Sequence, residues 1–137
     1  MWWVYTLLSA VFASLTAIFA KIGVANVNSN LATAIRTVVI LVITWGIVIA
    51  KGHWRSLGEI SRTSLLFLVV SGVATGLSWL FYFKALQLGK VSLVAPIDNL
   101  SVALTIALSI VFLGESPSIK SAIGALLIVA GTVTLIL

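Results

Sequence analysis

The sequence predicts an all-α integral membrane protein of five transmembrane helices, and three observations carry that expectation. Hydrophobic residues make up 61% of the 137 residues and charged ones only 8%. With a mean hydropathy of +1.26, water is the wrong solvent for most of this surface. The apolar residues gather in stretches that match the roughly 20 residues, at about 1.5 Å rise each, needed by a spanning helix. Five such stretches use nearly the whole of residues 1–137 and leave no room for a separate soluble domain. The lipid bilayer is thus the first partner, and a multi-pass position in the inner (cytoplasmic) membrane of the cell is the expected location.

The first span, about 2–24, lacks a basic leader and is too long for a cleavable signal core, so it reads as a retained helix. Asn26 to Asn30 then favour a turn. The second span takes about 31–50, followed by the most polar segment, with Lys51, His53, Arg55, Glu59 and Arg62, a solvated loop. The third span covers about 64–88, and the short Gly89-Lys90-Val91 forces the fourth, about 92–113, to return beside it as a tight helical hairpin. Gly114 to Pro117 make a second tight connection, Pro117 suiting a helix start, and the fifth span takes about 118–137. Trp2, Trp3, Tyr5 and Trp54 read as interface anchors.

A net charge of +5 would suggest nucleic acid in a soluble protein, but eight Lys and Arg scattered singly form no basic patch, so no nucleic-acid partner is expected. An odd number of spans puts the termini on opposite sides. The Lys and Arg divide almost evenly between those sides, with a weak bias toward a cytoplasmic N-terminus and room for insertion in both orientations. Without cysteine there is no disulfide, thiol nucleophile or Cys-ligated metal. His53 stands alone in a basic loop, so no metal site is proposed. No Ser/His/Asp set, phosphate-cradling glycine loop or hydrolytic carboxylate pair is present, so neither an enzyme nor a cofactor is expected.

The chemistry concentrates on two charges inside the spans. Asp98 is the one acidic residue well inside the apolar stretches, about 7 Å from the middle of the fourth span. Arg36 lies about 6 Å from the middle of the second, displaced toward the same face. Lys21 and Lys84 sit shallower on that side. Pro96, two residues before Asp98, removes a backbone donor and clashes with the previous turn, freeing carbonyls at that depth, as in broken helices that line transporter cavities. Asp98 and Arg36 have two readings: a neutralising structural pair, or substrate or proton coupling.

Stripes of hydroxyls at helical spacing surround them: Ser71, Thr75, Ser78 and Tyr82 on the third span, Asp98, Ser101, Thr105 and Ser109 on the fourth, and Thr33, Arg36, Thr37 and Thr44 on the second. Three converging polar faces would wall a cavity for a polar solute, and Asn99 belongs to that lining. The alternative is helix packing through Ser and Thr. Trp79, near the middle of its span, either stacks on a solute or fills the interior. Gly72 with Gly76, and Gly124 with Gly131, are expected at close helix contacts.

Tyr82 through Gly89, Val94-Ala95-Pro96-Ile97, Phe112-Leu113-Gly114-Glu115 and Gly124 through Gly131 resemble, in order and spacing, the EamA repeat of the drug/metabolite transporter superfamily. Ala20-Lys21 and Ala34-Ile35-Arg36 also fit, so the resemblance covers essentially the whole chain as a single five-helix unit. It implies a small-solute transporter, and because many relatives carry the unit twice in inverted orientation, it also implies a homodimer, antiparallel in its simplest form. In single-repeat sequences of this type the residue after the fourth-span Asp often looks basic, whereas here it is Asn99. The expectation is a secondary transporter of a metabolite or drug-like solute, working by alternating access with proton coupling at Asp98, with a cavity lined by the first four spans and the fifth span left to packing. Its rival is a non-transporting membrane subunit or accessory protein for lipid-linked substrates.

Overall fold

In a bilayer, lipid offers no hydrogen bonds, so a segment that spans it must satisfy its own backbone. The computed structural model describes residues 1–137, and the chain answers that constraint with helices throughout. They are α1 (Trp2–Val24), α2 (Ser29–Ala50), α3 (Arg62–Leu88), α4 (Val91–Asp98), α5 (Leu100–Leu113) and α6 (Ile119–Ile136). Counting α4 and α5 as one interrupted span, five segments are long and apolar enough to cross a membrane. Large apolar side chains such as Phe12, Val38 and Phe67 stay exposed along them, as lipid-facing residues do. The chain folds as two compact units, Met1–Leu88 and Gly89–Leu137.

In the first unit α2 begins at Ser29, two residues before the sequence places it. The Asn28 side chain supplies the cap, its Oδ1 accepting from the N–H of Asn30 at 2.9 Å and of Leu31 at 3.4 Å. The polar connection after α2 contains a short 3₁₀ helix, His53–Glu59, entered through Gly52 in the left-handed region at φ +70°. Ser61 Oγ then accepts from the Ser64 N–H at 3.1 Å and caps α3.

The C-termini of α1 and α3 meet. Each end carries carbonyls that no further turn satisfies, and each helix supplies the other's donor. Lys21 Nζ on α1 donates to the Leu86 carbonyl on α3. Gln87 Nε2 on α3 donates to the carbonyls of Val24 at 3.4 Å and Val27 at 3.0 Å. A cation beside a helix C-terminus also complements the helix dipole. The most buried apolar side chains of the chain, Val24, Phe83 and Leu86, lie at this junction, with Ala17 one to two turns deeper.

In the second unit the interruption expected at Pro96 falls at Asn99. Pro96 withholds the N–H that would have bonded Ser92, one turn before it, while the helix itself breaks three residues after it. The Asn99 N–H is shared between the carbonyls of Ala95 (3.3 Å) and Pro96 (3.2 Å), and Val102 N–H turns back to the Asn99 carbonyl (3.0 Å). Thr132 on α6, buried, lies against this break: its hydroxyl is 2.8 Å from the Ile128 carbonyl and 3.3 Å from that of Pro96. The fifth span therefore does more than pack, because it brings a donor to the carbonyl at the helix break. Gly114 ends α5 in the left-handed region at φ +64°, and Glu115 N–H returns to the Ser109 carbonyl at 3.3 Å. Ser118 caps α6 through the Ser121 N–H at 3.1 Å.

The four glycines expected at close contacts form none within the chain. A Cβ built on Gly72, Gly76, Gly124 or Gly131 would meet nothing within 4 Å. These positions are small, but no helix of the same chain has moved in to use the space.

Replacing Gln87 with Leu keeps the volume and removes both bonds that cap α1. We expect unfolding in sodium dodecyl sulfate to show a loss on the order of 1 kcal/mol, with helicity in mild detergent unchanged.

Candidate solute site

An arginine part-way through a spanning helix carries a charge that is costly to hold in lipid. The first unit treats Arg36 by stacking. Its guanidinium carbon lies 3.3 Å from the centroid of the Trp79 ring and 5.5 Å from that of Phe83. Trp79 is held in turn by edge-on contacts with Tyr82 (5.6 Å, 84°) and Phe83 (5.9 Å, 61°). Positions 79, 82 and 83 share one face of α3 by helical spacing, and that face meets α2. A planar, weakly hydrated guanidinium suits this stacking, which supplies about 2 kcal/mol when desolvated.

Stacking occupies a face of the guanidinium and leaves its edge. The five N–H donors of an arginine lie in the plane of the group, so a ring on its face does not use them. Beside Arg36 is a cavity of about 370 Å³ between α1, α2 and α3, walled by Thr16, Phe19, Ala20, Gly23, Val27, Ala32, Ile35 and Phe83. Arg36 is the one charged side chain in that wall. The volume falls within the roughly 300–1,000 Å³ typical of small-molecule sites.

The predicted lining residues are distributed differently. Trp79 and Tyr82 belong to the aromatic support around Arg36. Thr33 and Thr37 on α2 donate to the carbonyls of Ser29 (2.9 Å) and Thr33 (2.8 Å), one turn back on their own helix. Thr75 does the same to Ser71 (2.9 Å). Ser71, Thr75 and Ser78 lie on exposed surface of α3, as do Ser101 and Thr105 on α5. Asp98, also exposed, closes α4 at the break, and Asn99 lines a second cavity of about 470 Å³, with Pro96, Gly131 and Thr132, inside the second unit.

The first span was expected to line the cavity, but none of its wall residues had been named. Thr16, Ala20 and Gly23 follow one another by four and three residues, so small side chains line one face of α1. That spacing is the signal that would have found them. Gln87, Lys21 and Thr132, the donors to end and break carbonyls, were equally unassigned to these tasks by spacing alone.

The model of the EamA-like transporter family matches residues 1–137. The chain belongs to that family. A Sinorhizobium protein named as an uncharacterized transporter in the cobO 3′ region is 49% identical over 134 residues, covering 98% of this chain and 95% of the relative. Uncharacterized protein MJ1333.1 of Methanocaldococcus jannaschii is 31% identical over 129 residues, 94% of this chain and 91% of the relative. The Bacillus subtilis uncharacterized transporter YxxF is 26% identical over 129 residues, which are 93% of this chain but 40% of the relative. No solved structure matches the chain. Membership of the EamA-like family and the names of these relatives support a small-solute transporter rather than an enzyme.

Trp79→Leu removes the ring beneath Arg36 and should lower stability against denaturing detergent by about 1–2 kcal/mol. Trp79→Phe should cost less than half as much. Equal losses would mean that ring volume, not stacking on the cation, is what Trp79 contributes.

Proposed function

We propose that the protein is a secondary transporter of small solutes in the cytoplasmic membrane, acting as a homodimer by alternating access, with the Arg36 cavity as its solute site. The observation that carries this reading is the cavity itself, a space of small-molecule size at membrane depth with one charged group on an apolar wall. A chain serving only as a scaffold has no need to keep such a space open beside an arginine held by an aromatic ring on its face.

Two further observations support the finer parts. The Bacillus relative matches this chain over 40% of its own length, which leaves length there for a second unit of the same size and favours pairing two copies here. The odd number of spans and the even spread of Lys and Arg allow those copies to insert antiparallel. Asp98 is assigned the coupling proton, because an acid at an interrupted helix, well inside the membrane, can be neutral or charged according to which side it contacts. In that cycle protonation of Asp98 lowers the cost of moving it across the hydrocarbon, and solute on Arg36 does the same for the guanidinium.

The test is solute-dependent proton movement in proteoliposomes with a pH dye trapped inside, screened with small carboxylates, amines and amino acids. The wild-type chain should move protons with at least one class, and Asp98→Asn should abolish that movement while leaving solute exchange measurable. Unchanged proton movement in Asp98→Asn would remove the coupling role. Absence of flux for every class, with protein correctly inserted, would remove the transporter.

A further inference from the structure

We infer that the solute is a small organic anion with an apolar body, its acidic head hydrogen-bonded to the edge of Arg36 and its body lying against α1. This deepens the transporter reading and rests on the same cavity. The charge inventory of the first unit gives the sign. Its spans hold Lys21, Arg36 and Lys84 toward one end, and its one acid, Glu59, lies in the connection at the other end of α2 and α3. Lys21 is directed to the carbonyl that ends α3, whereas the Arg36 guanidinium is stacked on Trp79 and borders the cavity. An anionic head would offer the guanidinium edge an acceptor of opposite charge, and a planar carboxylate matches the arginine fork with two parallel bonds.

The wall gives the rest of the ligand. Phe19, Val27, Ile35 and Phe83 offer no hydrogen bonds, and Ala20 and Gly23 keep the space open. A cation would meet the guanidinium with like charge and a wall whose one side-chain acceptor is the uncharged Thr16 hydroxyl. A fully polar anion would lose its hydration along that wall without compensation. The combination that fits is one acidic head on an aliphatic or aromatic body of about ten heavy atoms.

The probes are 4-phenylbutyrate and 4-phenylbutylamine, which share a body and differ in the sign of the head. Each is titrated calorimetrically into the full chain in phosphatidylcholine nanodiscs, with empty nanodiscs subtracted. The carboxylate should bind saturably and at least about tenfold more tightly than the amine, the factor expected for one charge-assisted hydrogen bond. Arg36→Gln should weaken it by at least the same factor. Arg36→Lys, which keeps the charge and loses the fork, should fall between. If Arg36→Gln fails to fold, Arg36→Lys and Ala20→Phe decide, the second by filling the cavity while keeping the charge.

Amine binding as tight as carboxylate binding, or carboxylate binding that survives both Arg36→Gln and Ala20→Phe, would overturn the inference. So would loss of carboxylate binding in phosphatidylglycerol that persists at high salt, where surface repulsion of the probe is screened, since a lipid headgroup would then be the occupant. Carboxylate binding through Arg36 without flux in proteoliposomes supports the anion site and removes the transport reading. Flux of amines without carboxylate binding removes the anion site and leaves the transport reading standing.

Discussion

Every polar group that enters the hydrocarbon must find its partner within the protein or its cargo, and this constraint explains most of what the chain does with its few polar residues. Threonines return their hydroxyls to carbonyls one turn back, as Thr33, Thr37, Thr44 and Thr75 do. The touching ends of α1 and α3 exchange donors through Lys21 and Gln87. The carbonyl of Pro96, beside the interrupted helix, has the Thr132 hydroxyl within reach. Among the charges of the first unit Arg36 is set apart, because it is stacked on Trp79 and lines the cavity. That placement is what turns a packed three-helix unit into a site.

The fold was legible because length and composition bound it so tightly: five apolar stretches in 137 residues leave no other arrangement of backbone in a bilayer. Caps were partly legible. The Gly114 turn was expected, but the start of α6 was given to Pro117 where Ser118 is the cap, and Asn28 was read as part of a turn when its side chain starts α2. The break in the fourth span was expected at Pro96, yet it falls at Asn99, where the ladder tightens to share one N–H between the Ala95 and Pro96 carbonyls.

The site was legible in its charge and not in its wall. Arg36 and Trp79 stood out by depth, and the structure stacks one on the other. The hydroxyl stripes pointed elsewhere because a threonine bonding its own helix and a threonine facing a solute have the same spacing in sequence. The wall of the cavity is mostly apolar and small, residues that periodicity assigns to lipid or packing with equal ease. Family membership gives the class of the protein, but the solute must be argued from this wall and this guanidinium.

The most direct measurement is water access to the cavity, and the absence of native cysteine makes it clean. Single substitutions Ala20→Cys, Gly23→Cys and Ala32→Cys along the wall are compared with Phe12→Cys and Val38→Cys on the lipid-facing surface. A membrane-impermeant thiol reagent, applied to both sides of reconstituted vesicles, should label the three wall positions and spare the other two. Wall positions as unreactive as the lipid-facing ones would mean that no aqueous path reaches Arg36, and a solute site there would be contradicted.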